Sequence, residues 1–146
     1  MTQMRASLLF VVISFFLIFA PNNDKNDMSQ DLFKQIRTAI RKERLYTKVG
    51  LLREDIMKRF GIGRHRLNDM LNSHADGMSF PQFINAIRME KAYKYLTDHP
   101  EMTIAEIASL VGFTAPNLRE QFKRCYGITP TEYRQNITKK LCKQKF

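Results

Sequence analysis

The chain has 146 residues, 44% hydrophobic and 26% charged, which suits one globular domain or a pair of small ones. Lysine and arginine exceed aspartate and glutamate by ten, and because residues 1–27 carry no net charge, the whole excess belongs to residues 28–146. Two isolated cysteines and three histidines without metal-ligand spacing argue against a disulfide scaffold and a metal site. The sequence contains no nucleophile–base pair and no phosphate-binding loop, so nothing in it indicates an enzyme, a cofactor or a small-molecule site. The binding partner that such a basic domain favours is nucleic acid first and an acidic membrane surface second. The alternative is a solvated surface with a basic bias.

An uncharged apolar run, ASLLFVVISFFLIFA, occupies residues 6–20. As a helix it would be roughly 22 Å long, against about 30 Å of bilayer hydrocarbon. A signal peptide has this shape, but the small residue expected two positions before a cut at Ala20 is missing. Basic residues follow the run much more than they precede it, so the C-terminal part should be cytoplasmic. We therefore expect residues 1–20 to form an N-terminal apolar helix, an inner-membrane anchor or the remnant of a transmembrane region. The alternatives are a misassigned start codon and a helix packed on the domain.

The next ten residues, 21–30, are polar and turn-forming, which predicts a linker before a domain at 31–146 that ends in a basic tail. Beyond them apolar residues recur with a helical period, and no strand-like alternation persists. The pattern predicts seven short helices, which start near Ser29, Leu51, Arg64, Ser79, Thr103, Thr114 and Thr129.

Three of these helices open with the Ser/Thr-x-x-Glu/Gln spacing of a capping box. The pairs are Ser79–Gln82, Thr103–Glu106 and Thr129–Glu132. Pro130 follows one cap at the first helical position, where its missing N–H costs nothing. The longest helix follows Ser79, and its apolar residues between Phe80 and Leu96 predict one amphipathic stripe.

A shift of 51 residues aligns IMKRFGIGRHRLNDML with IASLVGFTAPNLREQF. Five positions match without a gap: Ile56 with Ile107, Gly61 with Gly112, Ile62 with Phe113, Leu67 with Leu118, and Leu71 with Phe122. In each copy a helix ends at a glycine that permits a tight turn, and a second helix carries apolar residues at i and i+4 opposite a polar face. This pattern is typical of a helix-turn-helix, whose second helix reads the major groove. The predicted fold is therefore all-α, with two helix-turn-helix subdomains joined by a long linker helix.

Residues 29–134 also resemble, as a whole, the DNA-binding domain of AraC-type (arabinose-operon regulator) transcription factors. GITPTEYR is similar to that family's closing motif, GMSFPQFINAIRMEKAYKYL to its linker helix, and IAEIASLVGF to the first helix of its second unit. The resemblance implies a bipartite helical domain that binds double-stranded DNA sequence-specifically and controls transcription. The lead-in LFKQIRTAIRKERLY behind an apolar segment is similar to members with transmembrane sensor regions upstream.

Eight residues are expected to contact DNA because of their positions in the two reading helices. They are Arg64, His65, Arg66 and Asn68 in the first unit, and Thr114, Asn117, Arg119 and Lys123 in the second. Arginine suits guanine and asparagine suits adenine, so Arg119 and Asn117 are the strongest candidates for base contacts. Thr114 is the expected N-cap and a phosphate donor, whereas Lys123 should face phosphate or solvent. We expect Asp69 to pair with Arg66 rather than with a cytosine.

The linker helix predicted at 80–96 would be about 26 Å long, so the two reading helices could enter successive major grooves about 34 Å apart. The alternative function is a membrane-tethered helical adaptor with weak or lost DNA specificity. Its repeats would bind a protein partner, such as a membrane sensor or RNA polymerase. Two acidic residues on the reading helices, Asp69 and Glu120, motivate this alternative.

Overall fold

The structure, a computed structural model, describes residues 23–143, and the apolar run at 6–20 lies outside them. The described part consists of seven α-helices and a short 3₁₀ turn, and it contains no strand. The helices are α1 (Asn23–Lys42), α2 (Arg53–Phe60), α3 (Arg64–His74), α4 (Phe80–Asp98), α5 (Ile104–Val111), α6 (Ala115–Tyr126) and α7 (Pro130–Lys143), and the 3₁₀ turn (Leu45–Thr47) follows α1. The predicted all-α class and the seven helices are confirmed for these residues. Between residues 23 and 143, no helix is both long and apolar enough to cross a bilayer.

The first helix begins earlier than the sequence predicts. The expected N-cap is Ser29, whereas α1 starts at Asn23, so most of the linker predicted at 21–30 is helical. Residues 23–30 contain neither glycine nor proline, and an established helix propagates readily through such a segment. At the other end α7 continues to Lys143, so much of the predicted basic tail is helical too.

Two separate hydrophobic cores correspond to the two copies of the repeat. The first core joins α1, the 3₁₀ turn, α2, α3 and the first half of α4, and the second joins the rest of α4 to α5, α6 and α7. The predicted inward residues are all buried: Ile56, Ile62, Leu67 and Leu71 in the first unit, and Ile107, Phe113, Leu118 and Phe122 in the second. Each such side chain stabilises its unit by about 1.5–3 kcal/mol through removal of apolar surface from water. The sequence repeat therefore corresponds to two structural units of the same kind.

The long helix α4 serves the two cores with nearly opposite faces. Its first-core residues are Phe80, Phe83, Ile84 and Ile87, and its second-core residues are Met89, Ala92 and Leu96. At 3.6 residues per turn, the centres of these two sets are roughly 160° apart around the helix axis. The single stripe predicted from the sequence is therefore wrong, because each half of α4 packs against a different unit. The change of face occurs at Arg88.

All three predicted capping boxes are present. The cap hydroxyls of Ser79, Thr103 and Thr129 accept the backbone N–H three residues later at 3.4, 3.2 and 3.2 Å. In return the side chains of Gln82, Glu106 and Glu132 accept the cap N–H at 2.9, 2.7 and 2.7 Å. These bonds hold the pKa of both glutamates below the ordinary value: the threonine N–H has the largest effect and the threonine hydroxyl the next.

Candidate nucleic-acid interface

Each unit turns sharply between its two helices at a glycine. Gly61 ends α2 with φ of 61°, and Gly112 ends α5 with φ of 85°, both in the left-handed region that favours glycine. The residue after each glycine donates its N–H back to the preceding helix: Ile62 to Met57 at 3.0 Å, and Phe113 to Ala108 at 2.9 Å. The two turns therefore share this hydrogen bond, and they lead into α3 and α6, the two predicted reading helices.

The two predicted reading helices begin differently. Thr114 is the N-cap of α6, and its hydroxyl accepts the N–H of Asn117 at 3.4 Å, which confirms the predicted cap. The equivalent cap of α3 is Gly63, which has no side chain to do this. Because the Thr114 oxygen accepts that bond, its hydroxyl proton is free to donate to an anion.

All four candidates in the first unit lie on the exposed face of α3. Arg64, His65, Arg66 and Asn68 are exposed, whereas Leu67, Met70 and Leu71 are buried on the opposite face. Asp69 is exposed beside them. The predicted Asp69–Arg66 ion pair is wrong: in the described part of the chain, Asp69 pairs with no cation.

The second predicted reading helix, α6, has the same division between faces. Asn117, Arg119 and Lys123 are exposed, while Leu118 and Phe122 are completely buried. The acidic residue of this face, Glu120, accepts a hydrogen bond from Arg124 one turn later, at 3.4 Å. Its charge is therefore balanced within α6.

Three arginines on these surfaces are available to an anionic partner. Within residues 23–143, Arg64, Arg66 and Arg119 form no ion pair. Lys123 lies close enough to Glu132 for its charge to help lower the pKa of that carboxyl. The first turns of α3 and α6 thus present guanidinium, amide and hydroxyl groups, which suit base edges and phosphates.

Sequence reasoning missed an arginine that connects the two units. On α4, Arg88 donates from Nε to the carbonyl oxygen of Tyr46 at 2.6 Å and from Nη2 to that of Lys48 at 3.2 Å. Its guanidinium carbon lies 5.4 Å from the centre of the Phe113 ring. Burial lowers the pKa of Arg88. The sequence does indicate that Arg88 lies on a packed side of α4, because it is four residues from both Ile84 and Ala92, which are buried on that helix.

Comparisons with known proteins agree with this architecture. Residues 56–136, more than half of the chain, match the model of a family described as a helix-turn-helix domain. The Msm operon regulatory protein of Streptococcus mutans is 30% identical over 84 residues, which are 57% of this chain and 30% of that protein. The chain thus spans less than a third of that relative.

Solved structures show the same fold. The C-terminal domain of AraT, a response regulator from Geobacillus stearothermophilus, has 29% identity and a TM-score of 0.62, over 72% of this chain and 84% of that one. The DNA-binding domain of AdpA, solved in complex with a target DNA, has 22% identity and a TM-score of 0.61, over 71% of this chain and 90% of that one. From the repeat, the two cores and these matches together, the chain belongs to the helix-turn-helix family of AraC-type DNA-binding domains.

Proposed function

We propose that this chain is a sequence-specific regulator of transcription that places α3 and α6 in successive major grooves of double-stranded DNA. The observation that carries the proposal is the equivalence of the two units. In each unit, a glycine turn leads into a helix whose first turns expose polar and basic side chains. Two buried apolar residues anchor the opposite face of that helix: Leu67 and Leu71 in α3, and Leu118 and Phe122 in α6. One reading helix would suffice for one groove, so two indicate a site with two halves.

The dimensions of α4 support this proposal. With 19 residues it is about 28 Å long, close to the 34–36 Å between successive major grooves on one face of a duplex. The two units pack against opposite ends of this helix. Flanking turns and side chains would supply the remaining distance.

Charge and relatives point in the same direction. All ten net positive charges belong to residues 28–146, and such a surface attracts the phosphate backbone. The AdpA domain, which has this fold, is solved with a target DNA, and the names of two other relatives describe an operon regulatory protein and a response regulator.

The adaptor alternative has lost part of its motivation. It depended on two acidic residues on the reading helices, and Glu120 is compensated by Arg124. Asp69 alone then repels phosphate on these faces. Contact with RNA polymerase and membrane association through residues 6–20 stay predictions.

The equivalent positions of the two reading helices carry different side chains. The 51-residue shift places Arg66 on Asn117 and Asn68 on Arg119. Because arginine favours guanine and asparagine favours adenine, we expect two half-sites of different sequence, with centres about 10–10.5 base pairs apart.

The test is selection of bound duplexes from a random pool by the purified full chain. We expect a motif of two unlike half-sites and an affinity that falls steeply as salt rises. Arg66→Ala should relax one half-site and Asn117→Ala the other. Failure to select any motif at any salt concentration would favour the adaptor, and a single half-site would contradict the use of both helices.

A further inference from the structure

Arg88 lies at the boundary between the two cores. Ile87 before it belongs to the first core and Met89 after it to the second. Its two carbonyl acceptors, on Tyr46 and Lys48, belong to the segment that follows α1 in the first unit. The ring beside its guanidinium, Phe113, belongs to the turn of the second unit. One side chain therefore touches both units as well as the helix that links them.

The same place has a second close contact between the units. A Cβ built on Gly112 would lie 2.9 Å from the carbonyl oxygen of Tyr46 and 3.0 Å from that of Thr47. The turn of the second unit thus packs directly on the 3₁₀ turn of the first, backbone against backbone. We call the set Tyr46, Lys48, Arg88, Gly112 and Phe113 the inter-unit joint.

A guanidinium suits such a joint for a physical reason. Its planar fork can donate to two carbonyl oxygens at once while its face covers an aromatic ring. The bonds to Tyr46 and Lys48 offset the cost of burying the charge, and removal of the donors would leave these carbonyls without those partners. The joint therefore has one preferred geometry.

We propose that Arg88 is a positioning residue for DNA recognition, which fixes the angle and distance between α3 and α6 and so determines the half-site spacing that the protein accepts. This inference rests on the proposed function, because spacing matters only when both helices bind DNA. Arg88 itself touches no base in this scheme. It acts through the joint.

Arg88→Met is the informative substitution, because methionine keeps an aliphatic stem at the boundary and removes every donor. Arg41→Met is the matched control. Arg41 is also a half-buried arginine bonded to a partner across helices, Glu90 on α4 at 2.5 Å, but it joins α1 to α4 and lies outside the joint. Thermal unfolding of both variants shows whether they fold.

The first measurement needs no DNA. Nitroxide labels on Ser73→Cys in α3 and on the exposed native Cys125 in α6, with Cys142→Ser, report the distance between the reading helices by pulsed electron resonance. We expect a narrow distribution for the parent chain and for Arg41→Met, and a broader one for Arg88→Met. An unchanged distribution in Arg88→Met would overturn the inference, whatever the protein does with DNA.

The second measurement uses the selected duplex with one base pair inserted between the half-sites, which rotates one half by roughly 34–36° relative to the other. The parent chain should lose roughly tenfold or more in affinity, and Arg88→Met less than about threefold relative to its own uninserted site. Equal losses in both proteins would overturn the inference. If the insertion leaves the affinity of the parent chain unchanged, that result overturns the proposed function instead. The label distances would still report whether the joint is rigid.

Discussion

Gly112 approaches the backbone of Tyr46 so closely that a Cβ at Gly112 would lie 2.9 Å from the Tyr46 carbonyl oxygen. The equivalent glycine of the first unit, Gly61, has no atom within 4 Å of such a Cβ. Both glycines make the same left-handed turn, so the repeat is symmetric in conformation and asymmetric in surroundings. Of these two glycines, Gly112 alone approaches the other unit this closely in the described part of the chain.

Gly112→Ala should therefore destabilise the protein much more than Gly61→Ala. Both substitutions place a side chain in left-handed backbone, at about 1–2 kcal/mol, but only Gly112→Ala adds overlap with backbone atoms that cannot rotate away. We expect a total of roughly 2–4 kcal/mol for Gly112→Ala. Urea unfolding followed by circular dichroism measures both values. Similar losses would show that the close approach is relieved at little cost.

Thr114→Ala should weaken both the fold and DNA binding. Loss of the cap bond to the Asn117 N–H should lower the free energy of unfolding by about 1 kcal/mol. Loss of the hydroxyl donor should reduce affinity equally on all sequences, as expected for a phosphate contact. Thr114→Ser keeps both groups and is the control. A sequence-dependent loss in the alanine variant would instead assign Thr114 to base reading.

Arg119→Ala should cost about 1–3 kcal/mol of binding free energy at the selected site and relax the preference at one base pair. The matched control is Arg124→Ala, on the same helix, whose guanidinium is already bonded to Glu120. That control removes a positive charge and leaves Glu120 unbalanced, so it should lower affinity equally on every sequence and leave the base preference unchanged. Titrations on the selected duplex and on single-base variants separate the two effects. An equal loss by Arg119→Ala on every duplex would reassign it to the phosphate backbone.

Acid should weaken the two glutamate capping boxes. Because the pKa values of Glu106 and Glu132 are lower in the folded chain than their ordinary value of 4.5, their stabilisation is complete above that pH. It is lost as pH falls through the lower folded-state values. A double variant with Glu106→Gln and Glu132→Gln keeps acceptors at both positions but has no charge there to titrate.

Unfolding free energies of this variant and the parent chain, compared between about pH 3 and pH 7, test the effect. The parent should be more stable near neutrality, and the difference should shrink as the glutamates become protonated. Gln82→Ala is the control, because the box at Ser79 is uncharged and its loss should not depend on pH in this range. If the difference in unfolding free energy between the parent chain and the double variant stays the same in acid, the glutamate charges do not stabilise the two boxes.

The sequence by itself determined the local structure of this protein. Helix ends follow from short-range chemistry, as in the boxes at Ser79 and Thr103, and the turns follow from glycines that alone adopt positive φ at low cost. The buried positions follow from apolar spacing within each repeat, and this spacing also identified the polar faces of α3 and α6. These interactions join residues a few positions apart, so a linear pattern records them.

Only the tertiary structure decided how the two units meet. Arg88 bonds to Tyr46, 42 residues earlier, and no periodicity links such distant positions. The buried face of α4 changes along the helix because each half contacts a different unit. The apolar pattern alone therefore places Phe80 and Leu96 on one stripe, although they belong to different cores. The start of α1 at Asn23 was missed as well, because a polar segment without glycine or proline has no pattern that separates a helix from a linker. The geometry between the reading helices is thus a property of long-range packing, which the spacing of residues along the chain does not encode.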